Sequence, residues 1–592
     1  MSNKQKLELT WIGKDVRPKL EPRVLVEDPA LSYHAKERVT DQDIFDNRLI
    51  FGDNLLALKA LEQEFTGKVK CIFIDPPYNT GAAFAEYDDG VEHSLWLSMM
   101  RERLELLRRL LTRDGSIWTT LDDNEAHYFK VLCDEVFGRE CFIADISWKK
   151  RDGAPNDRKV GSIHDHLLVY ARRRSGTAKR TDAEESFNLM QRTEKADSQY
   201  QLYEEPFGFD PRGPFRKVDS TGNAKGGRYV ESLFYPVRNP FTGDEVWPRK
   251  GRCWVYKRDE MERMIADRRF FWGKDGKAGT PMRKLFKSEA KPGMTAPSIW
   301  DDVGLNQHAA RELEIIYGEK AAFETPKPEG LMKRVVEIAS SPGDIVVDSF
   351  AGSGTTGAVA HKMGRRWIMV ELGEHCNTHI IPRLKKVIDG ADPGGVTEAT
   401  GWSGGGGFRY FKLAPSLLEK DKYGQWVINK QFNPAMLSEA VCKIEGFKYE
   451  PSDGVYWQHG RSTERDFIYV TTQTMTAPML DALSEEVGKD RTLLVVCAAF
   501  TAKNLERWPN LTVKKIPKTV LHKCEWGHDD YSLEIKNLPW REPEPEPAAV
   551  PKKKNDKTTD LFTGKPAKAK QIKRAPRKKR VQEAGVRKRS KR

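Results

Sequence analysis

Cysteine and long apolar runs are both scarce in this chain. Its 592 residues contain 8 cysteines and no C-x-x-C pair, so neither a disulfide framework nor a zinc-finger spacing is indicated. No apolar run is long enough to span a bilayer, and the polar first residues lack the apolar core of a secretory signal. We therefore expect reduced thiols, no membrane segment and a cytoplasmic location.

Positive charge is concentrated at one end of the chain. The net charge is +13, yet residues 551–592 alone hold 18 lysines and arginines against 3 acidic residues, so the remainder is close to neutral. A proline–glutamate run at 541–550 precedes this segment and is typical of a stiff, solvated linker. With few large apolar residues, the region 541–592 is predicted to be a disordered basic tail. Such a tail either attracts phosphates or only improves solubility.

Two blocks of alternating strands and helices surround an irregular middle. The chain is too long for one hydrophobic core, and apolar segments such as VKCIFID and DIVVDSF favour the buried strands of a parallel sheet. The fold class predicted is therefore α/β. The predicted domains are an N-terminal extension at 1–46, a first α/β block at 47–172, an insert at 173–324, a second α/β block at 325–392, a glycine-rich joint at 393–410, a C-terminal α/β domain at 411–540 and the tail at 541–592.

The turn FAGSGTTG at residues 350–357 follows a predicted strand and opens a helix. A Walker-type phosphate loop is set aside because Ala358 follows the last glycine, where that loop requires lysine. A dinucleotide site and an S-adenosylmethionine site both stay open, since Gly352 and Gly354 let the backbone approach a ligand and a helix start favours an anion. A purely structural turn is the third alternative. Glu371, at the end of the next strand, is placed to hold ribose hydroxyls.

The motif DPPY at residues 75–78 ends the apolar strand VKCIFI, where an open α/β sheet presents its ligands. Alone it could be a tight turn, but beside the glycine turn it indicates methylation of an aromatic amine. That reaction needs two acceptors to hold the amino hydrogens, and the carboxylate of Asp75 and the carbonyl of Pro76 are suited to this, with Pro77 fixing the carbonyl direction. Tyr78 would stack on a flipped-out base.

Eight segments together resemble the beta group of amino-methyltransferases, and specifically the modification subunits of type III restriction systems. They occur in that family's order and are IFGDNLLALKAL, IFIDPPYNTG, HSLWLSMMRERLELLRRLL, GSIWTTLDDNE, HDHLLVYAR, TPKPEGLMKRVVEIAS, VVDSFAGSGTTGAVA and WIMVEL. The resemblance implies a circularly permuted, Rossmann-like, seven-stranded methyltransferase sheet. In it, residues 47–172 would be the catalytic half, 325–392 the cofactor half and 173–324 an inserted target-recognition domain. The resemblance also implies S-adenosylmethionine as methyl donor and the N6 amino group of adenine as acceptor, because cytosine-N4 enzymes more often have serine before PPY.

The same resemblance implies a set of cofactor-binding residues. Asp53 would bind the adenine amino group and Glu371 the ribose, while Lys327 and Pro328 lie in the segment that closes over the methionine end. The remaining residues implied are Asp75, Asp348, Phe350, Ala351, Gly352, Ser353, Gly354, Thr355 and Thr356. Double-stranded DNA, a second copy of the chain and a separate helicase–nuclease subunit are the implied partners.

Other residues and other functions carry less weight. Basic residues of the insert could contact bases, although phosphate or solvent contact is expected more often for any one of them. They are Arg228, Arg238, Arg249, Lys250 and Arg252. Asp122, Asp123, His164 and His166 resemble metal ligands, but methyl transfer requires no metal and none is predicted. A cytosine-N4 or RNA enzyme remains an alternative, and an oxidoreductase explains only the glycine turn.

Overall fold

A computed structural model describes most of the chain. The described residues are 8–79, 89–156, 159–172, 187–223, 230–319, 323, 325–516 and 518–532. The predicted basic tail and Arg228 lie outside them. Among the described helices, none combines the length and apolar character needed to cross a membrane.

A large mixed sheet is the centre of the described structure. From edge to edge its strands are Leu25–Glu27, Gly407–Leu413, Asn47–Phe51, Arg366–Glu371, Ile345–Asp348, Val69–Ile74, Leu111–Leu121, His164–Ala171, Phe142–Lys149 and Ile299–Trp300, with Tyr33–His34 also pairing with Gly407–Leu413. The strands from Gly407–Leu413 to Leu111–Leu121 run parallel to one another. His164–Ala171 is antiparallel to both of its neighbours.

The strand order explains how two sequence-distant motifs meet. The cofactor-half strands Arg366–Glu371 and Ile345–Asp348 lie between the catalytic-half strands Asn47–Phe51 and Val69–Ile74. Parallel strands end at the same edge of a sheet, so the glycine turn and DPPY both open there. The predicted α/β fold class is confirmed by this large sheet with parallel central strands.

Helices cover both faces of this sheet. One face carries Asn54–Phe65, Asp89–Leu110 and Ala126–Val136, and the other carries Glu329–Ala339, Thr355–Lys362 and Ile381–Ile388. Side chains of one strand alternate between the two cores: Ile72 and Ile74 pack on the first face, Cys71 and Phe73 on the second. Burial on both faces is the reason that the strand is a continuous apolar run.

The insert and the C-terminal part form smaller sheets. In the insert the paired strands are Phe215–Asp219, Phe270–Phe271 and Met282–Phe286; Thr221–Asn223 and Arg252–Trp254; Val237–Arg238 and Glu245–Val246; and Glu204–Glu205 and Gly208–Phe209. The C-terminal part has a hairpin of Leu418–Lys420 and Trp426–Ile428 and a sheet of Lys448–Tyr449, Gly460–Arg461, Asp466–Met475, Thr492–Phe500 and Leu511–Lys515. Among the described residues, the remaining α-helices are Glu194–Asp197, Arg258–Ala266, Asn306–Tyr317, Thr397–Thr400, Pro434–Glu445 and Ala477–Val487.

Some elements of the central sheet were not expected from the sequence. The strand Gly407–Leu413 begins within the segment predicted as a joint, and its antiparallel partners lie in the predicted N-terminal extension. Phe408 and Tyr410 are buried in the core of the second face. These strands are short, and their pairing joins residues almost 400 positions apart, so no local sequence pattern indicates them.

Candidate active site

A cavity of about 670 Å3 lies where the central parallel strands end. Residues from both halves of the sheet line it. Those predicted from the sequence are Asp53, Asp75, Pro76, Pro77, Tyr78, Lys327, Asp348, Phe350, Ala351, Gly352, Ser353, Thr355, Thr356 and Glu371. Pro328 and Gly354 are not among the lining residues; they are the N-cap residues of the helices Glu329–Ala339 and Thr355–Lys362. Arg103, Phe323, His375 and Ser532 line the cavity without having been predicted.

The Asp75 carboxylate is held by two side chains. The Thr120 hydroxyl donates to Oδ1 at 2.6 Å, and the Lys327 ammonium forms an ion pair with Oδ2. Thr120 lies on the neighbouring strand Leu111–Leu121, and Lys327 comes from the cofactor half. The orientation of the carboxylate is thus fixed by groups from both halves of the chain.

The rest of DPPY is fixed by its surroundings. Trp96 Nε1 donates to the Pro77 carbonyl at 2.8 Å, and Asn79, with a φ of 54°, donates its amide to Glu125 at 2.7 Å. Asparagine is one of the few residues that tolerates this left-handed conformation. Burial, with the charge of Asp75 adding to it, raises the pKa of Tyr78 well above its ordinary value. Tyr78 is therefore a neutral phenol at physiological pH.

The glycine turn is held by two carboxylates. Gly352 and Gly354 have φ values of 53° and 78°, which glycine adopts without steric cost. Asp348 accepts hydrogen bonds from the Phe350 amide at 2.9 Å and from the Thr356 hydroxyl at 2.5 Å. Burial raises the pKa of Asp348 to about 7. Glu371 accepts from the Gly352 amide at 2.8 Å, so both acidic residues shape the turn itself.

A buried ion network lies behind the turn. Glu329 accepts from Lys362 and from Arg383, each at 2.8 Å, and Lys362 also donates to Asp392 at 2.6 Å. Arg383 donates to the Ser353 carbonyl at 3.1 Å and so supports the turn directly. Although burial opposes ionisation, the charges of Arg383 and Lys362 hold the pKa of Glu329 below its ordinary value. No sequence signal indicated this network, because its members are far apart in the chain.

The histidines of the strand His164–Ala171 were predicted not to bind metal. His166 forms ion pairs with Asp145 through Nδ1 at 3.0 Å and with Asp123 through Nε2 at 3.1 Å. His127 lies beside this pair, and the possible metal-ligand atoms of Asp123, His127 and His166 are all within 4.8 Å of one another. The hydrogen bond to Asp145, reinforced by Asp123, raises the pKa of His166 to about 9, so His166 acts as a cation between carboxylates at neutral pH.

Two insert residues make contacts within the fold. Arg252 pairs with Asp219 and donates to the Thr221 hydroxyl at 2.6 Å, and Arg238 donates to the Gly243 carbonyl at 3.3 Å. Arg249 and Lys250 are exposed. Exposed cations are the better candidates for contact with a polyanion.

Residues 69–381 match a family described as DNA methylase. The match covers more than half of the chain, and the chain belongs to this family.

Curated relatives agree with the type III resemblance. The chain is 32% identical over 464 residues to the probable type III restriction-modification enzyme HindVI Mod subunit of Haemophilus influenzae, covering 70% of this chain and 60% of that protein. It is 31% identical over 384 residues to the StyLTI Mod subunit of Salmonella typhimurium, covering 59% and 55%. It is 24% identical over 602 residues to the EcoP15I Mod subunit of Escherichia coli, covering 88% and 90%. The predicted resemblance is confirmed, although the chain aligns with little more than half the length of the first two.

The buried network predicts a large loss of stability on removing Glu329. In Glu329→Gln, Lys362 and Arg383 lose their shared counter-charge without gaining solvent, and we expect the free energy of unfolding to fall by about 3–5 kcal/mol. Glu337→Gln is the matched control, because Glu337 lies on the same helix and forms a more exposed pair with Lys333, worth about 1 kcal/mol or less. Urea denaturation of both variants measures the difference, and equal small losses would contradict a supporting role for the network.

The ion pairs of His166 predict a pH-dependent contribution to stability. The pKa of His166 is higher in the folded protein than in the unfolded chain, so its ion pairs stabilise the fold. This stabilisation is complete when the pH is below the unfolded-state pKa of about 6.5, and it is lost as the pH rises through the folded-state pKa of about 9. The melting temperature of His166→Gln should therefore lie below that of the wild type at pH 6, and the gap should narrow by pH 9.5. His164→Gln controls for loss of an imidazole from the same strand. A gap that is constant with pH would contradict the ion-pair interpretation.

Proposed function

We propose that this chain is a DNA methyltransferase that transfers a methyl group from S-adenosylmethionine to the N6 amino group of adenine within a recognition sequence. The observation that carries the proposal is the Asp75 carboxylate, which lies in the same cavity as the glycine turn. We further propose that the chain acts in the cytoplasm as the modification subunit of a type III restriction–modification system, as a homodimer and with a separate restriction subunit. The names of its relatives support that role.

The cavity suits S-adenosylmethionine in its volume and in the backbone groups that it offers to the ligand. Its volume of about 670 Å3 falls in the range of small-molecule sites. Gly352 lines the cavity without a side chain, which lets a ligand approach the backbone, and the start of the helix Thr355–Lys362 favours a carboxylate there. We assign Glu371 to the ribose hydroxyls, because its side chain is 12% exposed and its Oε2, which accepts from the Gly352 amide, can take a second hydrogen bond. S-adenosylmethionine supplies an electrophilic methyl group on a positively charged sulfur.

The residues of DPPY would orient the base. An exocyclic amine is a weak nucleophile because its lone pair is delocalised into the ring, and acceptors on its two hydrogens direct that lone pair to one side of the ring. Asp75 Oδ2 and the Pro76 carbonyl are the proposed acceptors, and the Tyr78 ring would stack on the base. Asp75 Oδ2 also becomes the nearest acceptor for the proton that the methylated nitrogen must lose.

Lys327 occupies the place that the base would take. Its ammonium binds Asp75 Oδ2, so a base that donates to this oxygen must displace it. Thr120 binds the other oxygen and can keep the carboxylate in position during the exchange. Lys327 would thus neutralise Asp75 until a base arrives, which avoids an unpaired charge in the cavity.

Labelled S-adenosylmethionine tests the proposal directly. Purified chain should transfer label to unmethylated genomic DNA, with N6-methyladenine as product, and Asp75→Ala should reduce the rate by at least about 100-fold, as loss of a group that handles a reacting proton does. Asp114→Ala is the matched control, since Asp114 is an exposed aspartate that pairs with Lys70. Label only in RNA, N4-methylcytosine as product, or an active Asp75→Ala variant would each contradict a part of the proposal.

Thr120 gives a finer test of how Asp75 is positioned. Thr120→Val removes one hydrogen bond to the carboxylate, worth about 1–1.5 kcal/mol, and should lower kcat about tenfold. Thr120→Ser keeps the hydroxyl and should stay within about twofold of the wild type. Steady-state kinetics at saturating methyl donor separate the variants, and a Thr120→Val enzyme with wild-type kcat would exclude this positioning role.

A further inference from the structure

Asp53, which the family resemblance assigns to the cofactor adenine, is already bound by the protein. Its Oδ1 accepts from the Leu56 amide at 2.9 Å and so caps the helix Asn54–Phe65. Its Oδ2 accepts from the Tyr531 amide at 3.0 Å and from Arg103 Nη2 at 3.4 Å. The carboxylate is 1% exposed. Both of its oxygens are therefore engaged before any ligand arrives.

Arg103 connects Asp53 to the last described segment of the chain. This arginine is fully buried at 1% exposure and lines the cavity. It donates to the Tyr531 carbonyl at 3.1 Å and to the Asn54 side chain at 2.5 Å. The backbone of Tyr531 is thus held by two hydrogen bonds: its N–H donates to Asp53, and its C=O accepts from Arg103.

The segment 525–532 is anchored at several points besides Tyr531. The Glu525 amide donates to the Lys19 carbonyl at 2.8 Å, and Arg23 donates to the His528 carbonyl at 2.8 Å and to Asp529 at 2.7 Å. The Tyr531 ring packs against the core of the first sheet face. Because these contacts hold it at several points, the segment has a defined position in the fold.

The next residue, Ser532, lines the cavity together with the glycine turn and DPPY. The cavity is therefore bounded near Asp53 by a segment from the far end of the described chain. Tyr531 lies 478 positions after Asp53 and follows the last strand of the C-terminal sheet, Leu511–Lys515. We infer that Ser532 forms part of the wall of the cofactor site at the end near Asp53, and that Asp53 and Arg103 hold this wall in place through the Tyr531 backbone. The inference rests on the proposed function, since it adds a binding element to the same cavity.

This assignment changes the role of Asp53. With Oδ1 in a helix cap and Oδ2 on the Tyr531 amide, Asp53 acts as a positioning residue for the wall. The ligand then packs against Ser532.

Calorimetric titration of the full chain with S-adenosylhomocysteine tests the wall. Ser532→Trp places a large side chain at the cavity edge while leaving the anchors of Tyr531 intact, and should weaken binding at least tenfold. Tyr531→Ala removes the ring that anchors the wall and should weaken binding by a similar factor. Tyr531→Phe is the matched control, because it loses only a 3.3 Å contact with Glu525, and should bind within twofold of the wild type.

The outcomes separate this inference from the proposed function. If the wild-type chain binds S-adenosylhomocysteine and the Ser532→Trp variant binds it equally tightly, the inference is overturned. The result for Tyr531→Ala does not change this conclusion. A wild-type chain that binds NAD but not S-adenosylhomocysteine overturns the proposed function instead. Melting temperatures of the three variants identify any loss of binding that comes from unfolding, and a folded Ser532→Trp variant with weakened binding supports the wall.

Discussion

The ion pair between Asp75 and Lys327 connects residues 252 positions apart, and the geometry of the candidate site depends on it. It forms only because the strands Val69–Ile74 and Ile345–Asp348 are parallel neighbours, which brings DPPY and the glycine turn to one edge of the sheet. A carboxylate and an ammonium that are largely removed from water each require a partner of opposite charge. The pair therefore links the circularly permuted topology to the chemistry: without this strand order, neither charge would have its partner.

The sequence was sufficient for the features that have local causes. Strands buried on both faces are apolar runs, so VKCIFI and IVVD were found as strands. DPPY and the glycine turn were found because turns with special backbone needs restrict residue type. The strand Gly407–Leu413, the Glu329 network and the contact between Tyr531 and Asp53 have no such local signature. They are contacts between distant segments, and a single sequence contains no signal for which distant segments meet.

The buried charges behind the glycine turn contribute geometry more than stability. Transfer of Glu329, Lys362 and Arg383 from water costs several kcal/mol for each ion, and their mutual attraction only about repays it. What the network does provide is a fixed donor: Arg383 binds the Ser353 carbonyl and the Thr355 hydroxyl. An apolar core of equal volume would fill the space but could not hold the carbonyl of a turn whose glycines have positive φ. The charges are thus explained by the shape of the turn.

Asp53 shows why a family assignment should be checked against the hydrogen bonds of the individual chain. A carboxylate with two oxygens has room for several donors, but here Leu56, Tyr531 and Arg103 already use it. A ligand amine could reach Oδ2 only by competing with the Tyr531 amide, which is fixed by its own backbone. A ligand amine that displaced the Tyr531 amide from Asp53 would leave that amide without its acceptor. Packing of the ligand against segment 525–532 leaves this hydrogen bond intact. The same contacts that occupy Asp53 therefore favour Ser532, which follows the anchored Tyr531, as the surface that the ligand meets.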